Sequence, residues 1–305
     1  MIFSFLKLLM FAIFRPLALY RIYTGAFAMM MVGPLQEAEI LEQELRNNGG
    51  ESVALITEDQ RQIEGMFFSP EKLFPGEASQ FNDENRPTVL FCLGRSMYYQ
   101  LHWDHYEYYL KQGLNVMVFN YGGYRNSEGS PTAERTFADA EAAYGYVKDT
   151  VGTDDSRIIV HGISLGGGPS SYLASQHPVH LVLDRTFSRV GDVSEVSILA
   201  FLTNFMYPYE VAGQIKDFRG RIHIFESTND EIMYPKHVEE IFNELVRVRY
   251  PEASESSRES LRMQYVSTLP GGHDACALVD DRIYDNQREH FTKRMIDPLK
   301  SDGDT

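Results

Sequence analysis

The sequence predicts an α/β protein with a mostly parallel central sheet and helices on both of its faces. From Thr88 onward, short apolar segments alternate with helical ones, the pattern of repeated strand-helix-strand crossovers. The chain has 305 residues, 43% of them hydrophobic and 23% charged, so it can bury a large core without a disulfide or structural metal and is too apolar for extended disorder. Its cysteines agree with that: Cys92 sits in an apolar run and Cys276 near an expected helix start, with no metal or redox spacing between them. They read as packed thiols in a reducing compartment.

Residues 1–33 are overwhelmingly apolar, interrupted by Lys7, Arg15 and Arg21 and free of acidic side chains. No run in them reaches the roughly 18 uncharged residues of a membrane span. A secretory signal peptide fits poorly, because the basic start is missing and Arg15-Pro16 breaks the apolar stretch. The expectation is a segment lying in the plane of a membrane surface, its long cationic side chains snorkelling to headgroups. A helix packed on the domain or on a second subunit is the other reading. The net charge of -15 repels phosphate backbones, so nucleic acid is not an expected partner.

Residues 34–51 follow as an amphipathic helix, with Leu35, Ala38, Leu41 and Leu45 on one face and Gly49-Gly50 closing it. Residues 52–305 form the α/β domain. Val53 to Thr57 and Arg61 to Phe68 read as a hairpin, and Ser69 to Pro87 as a surface connection. Strands are expected at Thr88–Gly94, Asn115–Tyr121, Arg157–Gly162, Leu181–Asp184, Arg221–Ser227 and Leu261–Ser267. Helices are expected at Tyr98–Lys111, Thr132–Asp149, Gly166–His177, Pro235–Arg249 and after Asp274. In such sheets the site forms beyond the carboxyl ends of the strands.

Directly after the third of these strands stands Gly162-Ile163-Ser164-Leu165-Gly166, a GxSxG motif between a strand and a helix. Its glycines allow a sharp turn that exposes the Ser164 hydroxyl, and the Leu165 N–H at the helix start faces a developing oxyanion. A serine hydroxyl needs a base and an orienting carboxylate. Asp230, after the strand ending at Ser227, is the favoured acid; Asp184 is the reserve and Glu231 a weaker choice. His273, on the loop Leu269-Pro-Gly-Gly-His273, is the expected base. The Arg95 N–H, after the strand ending at Gly94, is the second expected oxyanion donor. His161 reads as a packed neighbour of the turn, and His102 with His105 lacks a third ligand for zinc. Tyr98 and Tyr99 read as packing residues that can also wall an acyl pocket.

On Gly162 to Gly166, Asp230 and His273 the chain resembles the serine hydrolases of the α/β-hydrolase fold. It is most similar to their membrane-associated branch of monoacylglycerol lipases, lysophospholipid lipases and acyl-protein thioesterases. The run Asn120 to Pro131, the segment Asp184-Arg-Thr-Phe-Ser188 and Asp230-x-Ile-x-x-Pro235 carry that likeness, which covers about residues 52 to 295. The family's histidine-glycine pair at the oxyanion loop is Leu93-Gly94 here, and Gly122 and Arg125 replace the arginine and glycine of its tyrosine-rich segment. The apolar stretch between Phe187 and Arg219 leaves room only for a short lid.

The resemblance implies a serine hydrolase that cleaves esters or thioesters of lipid or acylated substrates through Ser164, His273 and Asp230, with no cofactor. A membrane surface is the expected partner through residues 1–33, and the catalytic domain is expected in a reducing cytoplasmic compartment. Proteins of this kind also occur as secreted effectors of intracellular bacteria. A serine peptidase remains an alternative, although such enzymes usually carry a gating domain ahead of the hydrolase. A hydrolase-fold scaffold with an impaired site is the other alternative.

Overall fold

The computed structural model describes residues 35–73, 81, 86–193, 208–276, 278 and 282–301. The apolar segment expected over residues 1–33 lies outside them, as do residues 194–207, where the short lid is expected.

Helix α1 (Leu35–Asn47) buries Ala38, Glu42 and Leu45 and exposes Glu39 and Glu44. Gly49, at φ +98°, ends it in the left-handed conformation that glycine adopts without strain. Strands β1 (Glu51–Ile56) and β2 (Gln62–Phe68) pair antiparallel from Ile56↔Gln62 to Glu51↔Phe67, the hairpin that the sequence predicts.

The alternation that follows gives β3 (Thr88–Cys92), α2 (Trp103–Lys111), β4 (Asn115–Phe119), α3 (Ala133–Gly145), β5 (Ile158–Ile163), α4 (Gly167–Gln176) and β6 (His180–Asp184). Then come β7 (Ile222–Ser227), α5 (Pro235–Arg249), α6 (Glu255–Tyr265), β8 (Val266–Leu269) and α7 (Asp285–Phe291). The sheet order is β1-β2-β4-β3-β5-β6-β7-β8, antiparallel at the first two pairings and parallel thereafter. Strands β3 to β6 are buried at every position, because helices cover both faces. One core packs α3, α4 and α5 on the sheet; the other packs α2 and the C-terminal helices around Phe291, Met295 and Leu299.

One expected strand is corrected. Residues Leu261–Tyr265 belong to α6, which Ser254 caps by accepting a hydrogen bond from the Ser257 N–H, and the strand begins only at Val266. Helix α5 matches its expected bounds: Pro235 opens it, and Val238, Ile241, Phe242 and Leu245 form its buried stripe.

The winding reverses between β3 and β5. Their adjacent carboxyl ends form a switch point, where crossovers leave in opposite directions and a crevice opens.

Candidate active site

Ser164 stands at that crevice, in a turn between β5 and α4, with φ +51°. For a non-glycine residue this left-handed conformation costs about 1–2 kcal/mol, and the packing around the turn enforces it. A Cβ at Gly162 would collide with Ser170 and the Gly166 carbonyl, and one at Gly166 with the Cys92 carbonyl of β3. Both glycines of the motif are therefore required by close approach of neighbouring backbone. The Ser164 carbonyl accepts a hydrogen bond from Thr186 Oγ1 (2.7 Å).

Asp230 and His273 are brought together by an extension of the β7–β8 ladder. Past Ser227↔Leu269, the Thr228 N–H donates to the Leu269 carbonyl (3.0 Å) and the Asn229 N–H to the Gly271 carbonyl (2.9 Å). Gly271, at φ +127°, turns the loop so that His273 reaches back. Asp230 Oδ1 accepts from the N–H groups of Ile232 (2.8 Å) and Met233 (2.7 Å), which leaves Oδ2 for His273 Nδ1 at 2.8 Å. His273 Nε2 lies 3.1 Å from Ser164 Oγ. An ionised carboxylate only accepts, so Nδ1 carries the ring proton, Nε2 has the free lone pair and the Ser164 hydroxyl donates to it. Burial pushes the Asp230 carboxyl up, but the hydrogen bonds from His273, Met233 and Ile232 outweigh it and hold the group below its ordinary value. Asp230 is buried, while the His273 side chain keeps 20% exposure, enough to meet a substrate.

The loop after β3 passes beside Ser164: a Cβ at Gly94 would lie 3.5 Å from the Ser164 Cβ. The Gly94 N–H points to Met97 Sδ (3.2 Å), and Arg95 follows, exposed. Leu165 sits in the helical turn Ser164–Gly166 that leads into α4.

The reserve acid does not meet the imidazole side chain. Both Asp184 oxygens accept from Arg185, Oδ1 from Nε (2.6 Å) and Oδ2 from Nη2 (2.8 Å), and His161 Nε2 lies 3.5 Å from Oδ2. Glu231 is exposed. His161 is fully buried, stacked on Phe91 at 4.6 Å and bonded through Nδ1 to the Tyr109 hydroxyl (3.0 Å). His102 and His105 pack edge to face at 5.3 Å, and among the described residues no group of side chains is arranged to hold a metal ion. Tyr98 and Tyr99 are buried packing residues.

Two residues with no role assigned from the sequence also reach Ser164 and His273. Arg185 Nη1 donates to the His273 carbonyl (2.6 Å), and Thr186 to that of Ser164. Their sequence signals are their place immediately after a buried strand and their membership of the segment Asp184-Arg-Thr-Phe-Ser188, neither of which marks a contact with Ser164 or His273. A groove of about 760 Å³ between β1 and α3 is lined by none of Ser164, Asp230 and His273.

A family model described as Chlamydia CHLPS protein (DUF818) matches residues 97–198, a segment that includes Ser164 and stops short of Asp230 and His273. The α/β hydrolase domain-containing protein WAV2 of Arabidopsis thaliana is 29% identical over 151 residues, 43% of this chain and 49% of WAV2. The chain thus spans about half the length of that relative. An α/β hydrolase structure from Vibrio vulnificus superimposes with a TM-score of 0.60 at 19% identity, over 90% of this chain and 93% of the other. The Pyrococcus furiosus esterase Pf2001 gives 0.61 at 17% identity, over 84% and 93%. The chain has the α/β-hydrolase fold. Within this fold the loops after β3, β5, β7 and β8 meet at one edge, the edge that holds Gly94, Ser164, Asp230 and His273.

Proposed function

We propose that the protein is a serine hydrolase that transfers an acyl group from an ester or thioester to water. One observation carries the reading: the relay from Ser164 Oγ to His273 Nε2 (3.1 Å) and from His273 Nδ1 to Asp230 Oδ2 (2.8 Å). His273 takes the Ser164 proton as the hydroxyl attacks the acyl carbonyl, and Asp230 holds the imidazole in the required tautomer and stabilises the imidazolium. The N–H groups of Leu165 and Arg95 receive the oxyanion. The imidazolium then protonates the leaving alcohol or thiol, and His273 activates water to release the acid. The scheme calls on no cofactor.

The named esterase among the structures of the same fold is consistent with ester substrates. The apolar, cationic residues 1–33 favour lipid or lipidated substrates at a membrane surface, with the catalytic domain on its cytoplasmic side. A panel of p-nitrophenyl esters, acyl thioesters and monoacylglycerols, run beside fluorophosphonate labelling, tests the reading. Wild-type protein is expected to label at Ser164, and Ser164→Ala and His273→Ala to lose about three orders of magnitude or more in kcat. Folded wild-type protein that neither labels nor hydrolyses any of these substrates rejects it.

A further inference from the structure

We propose that Asp184, Arg185 and Thr186 form a positioning clamp that sets the separation of Ser164 and His273 by holding the main-chain carbonyl of each. The inference rests on the acyl-transfer reading above and extends it to residues that touch no reacting atom. Ser164 and His273 lie 109 positions apart, on loops that follow different strands. Asp230 fixes the rotation of the His273 ring through Nδ1, but a hydrogen bond at one ring nitrogen does not stop the whole loop from sliding away from the serine.

The tripeptide supplies that restraint. Arg185 Nη1 donates to the His273 carbonyl at 2.6 Å, and the neighbouring Thr186 Oγ1 donates to the Ser164 carbonyl at 2.7 Å. Both holds start from rigid ground. Asp184 is the last residue of β6, in register with Ile163 of β5 on one side and Phe225 of β7 on the other. Its two oxygens take the Nε and Nη2 arms of Arg185, so the guanidinium cannot swing, and only its Nη1 arm extends toward His273. The Arg185 N–H is tied to the Phe225 carbonyl (2.9 Å), and its φ of +46° is a left-handed turn at a fully side-chained residue. Thr186 is seated against Gly167 at the start of α4, where any side chain on the glycine would collide with its hydroxyl. One buried tripeptide thus grips the nucleophile's backbone and the base's backbone together.

A clamp of this kind touches no acyl group, so its loss lowers kcat and leaves KM. Arg185→Gly is the informative variant, because glycine accepts the left-handed turn and leaves a space shaped for a free guanidinium ion beside Asp184. With p-nitrophenyl butyrate and the full chain, kcat is expected to fall roughly 100-fold, the scale of a displacement of about 1 Å at a reacting pair. KM should hold, and millimolar guanidinium chloride should restore most of the lost kcat and raise the urea unfolding midpoint of Arg185→Gly, a rise that the wild-type protein does not show. Wild-type kcat in folded Arg185→Gly, or a loss that guanidinium does not reverse, overturns the clamp. If Arg185→Gly does not fold, Arg185→Lys and Thr186→Val decide: reduced kcat with unchanged KM in both supports the clamp, and wild-type kcat in either overturns it. Wild-type activity with a fully active Arg185→Gly removes the clamp alone, whereas inactive wild-type protein removes the acyl-transfer reading and the clamp with it.

Discussion

Asp184 and Arg185 carry opposite charges into a place that water does not reach, and their side chains are each only 2% exposed. Burial pushes the Asp184 carboxyl up, but the adjacent guanidinium and the His161 ring outweigh it and hold the group well below the ordinary carboxylate range. A carboxylate whose folded value is depressed stabilises the fold fully above its unfolded value, and that stability is lost as the pH falls through the window below about 4. Replacing Asp184 by asparagine leaves the guanidinium buried beside a neutral amide. Asp184→Asn should therefore cost about 3–5 kcal/mol at neutral pH, read by urea unfolding, and should flatten the wild-type loss of stability below about pH 4. Equal stability of the two proteins at neutral pH would show that the pair is not what steadies the end of β6. The same substitution loosens the seat of Arg185, so stability and turnover are coupled at this one carboxylate.

At the scale of elements, the turn between β5 and α4 stores its strain at Ser164 and keeps it through two glycines with no space beside them. Gly166→Ala drives a methyl into the Cys92 carbonyl, a backbone atom of the central strand β3 that cannot rotate away. It should destabilise the protein by about 3 kcal/mol or more and slow fluorophosphonate labelling of Ser164. Gly145, at the end of α3, is the opposite case: a methyl added there would meet nothing within 4 Å, and Gly145→Ala should stabilise by about 0.5–1 kcal/mol. Urea unfolding of the pair checks both signs; a Gly166→Ala protein as stable as Gly145→Ala would mean that the turn is not under the constraint argued above. This turn is legible in the sequence because glycine spacing and an adjoining buried strand leave direct marks on residue type. So do the largely apolar, fully buried strands β3 to β6, and the order of Ser164, Asp230 and His273. Leu261, Met263 and Tyr265 mislead, since their alternation fits a strand. Met263 is 67% exposed, and the helix cap at Ser254 with the i,i+4 pair Leu261 and Tyr265 prevails. The roles of Arg185 and Thr186 are not legible at all, because they act on main-chain carbonyls, which no residue type at the far end of the contact betrays.

For the whole molecule, the direction of α1 relates the start of the chain to the site. Strands β1 and β4 both run antiparallel to β2, so β1 begins at the edge of the sheet opposite Ser164 and ends at the same edge as Ser164. Helix α1 ends at the edge opposite Ser164, where β1 begins, and its contacts place its middle against the loops of the Ser164 edge. Midway along it, Glu42 pairs with Arg125 and lies 3.4 Å from Gln100, both residues beyond the ends of β4 and β3. Arg125 also meets Glu64 of β2 at 2.9 Å, which fixes this helix to the sheet. On the proposed reading, an anchor in residues 1–33 leads into a helix that runs from the edge of the sheet where Ser164 stands. None of the acidic residues lies in that segment, so without it the chain is more negative still and is repelled by an anionic surface. Three basic side chains at about 1 kcal/mol each, added to the apolar insertion, reverse that sign. Removing residues 1–33 is expected to abolish pelleting with phosphatidylserine-containing vesicles while leaving kcat on a soluble p-nitrophenyl ester within about twofold, because Glu42, Arg125 and Glu64 are all retained. Hydrolysis of a monoacylglycerol embedded in those vesicles should fall well below that of the full chain. Pelleting that is unchanged by the deletion would place the membrane contact elsewhere and detach the anchor from the orientation of the site.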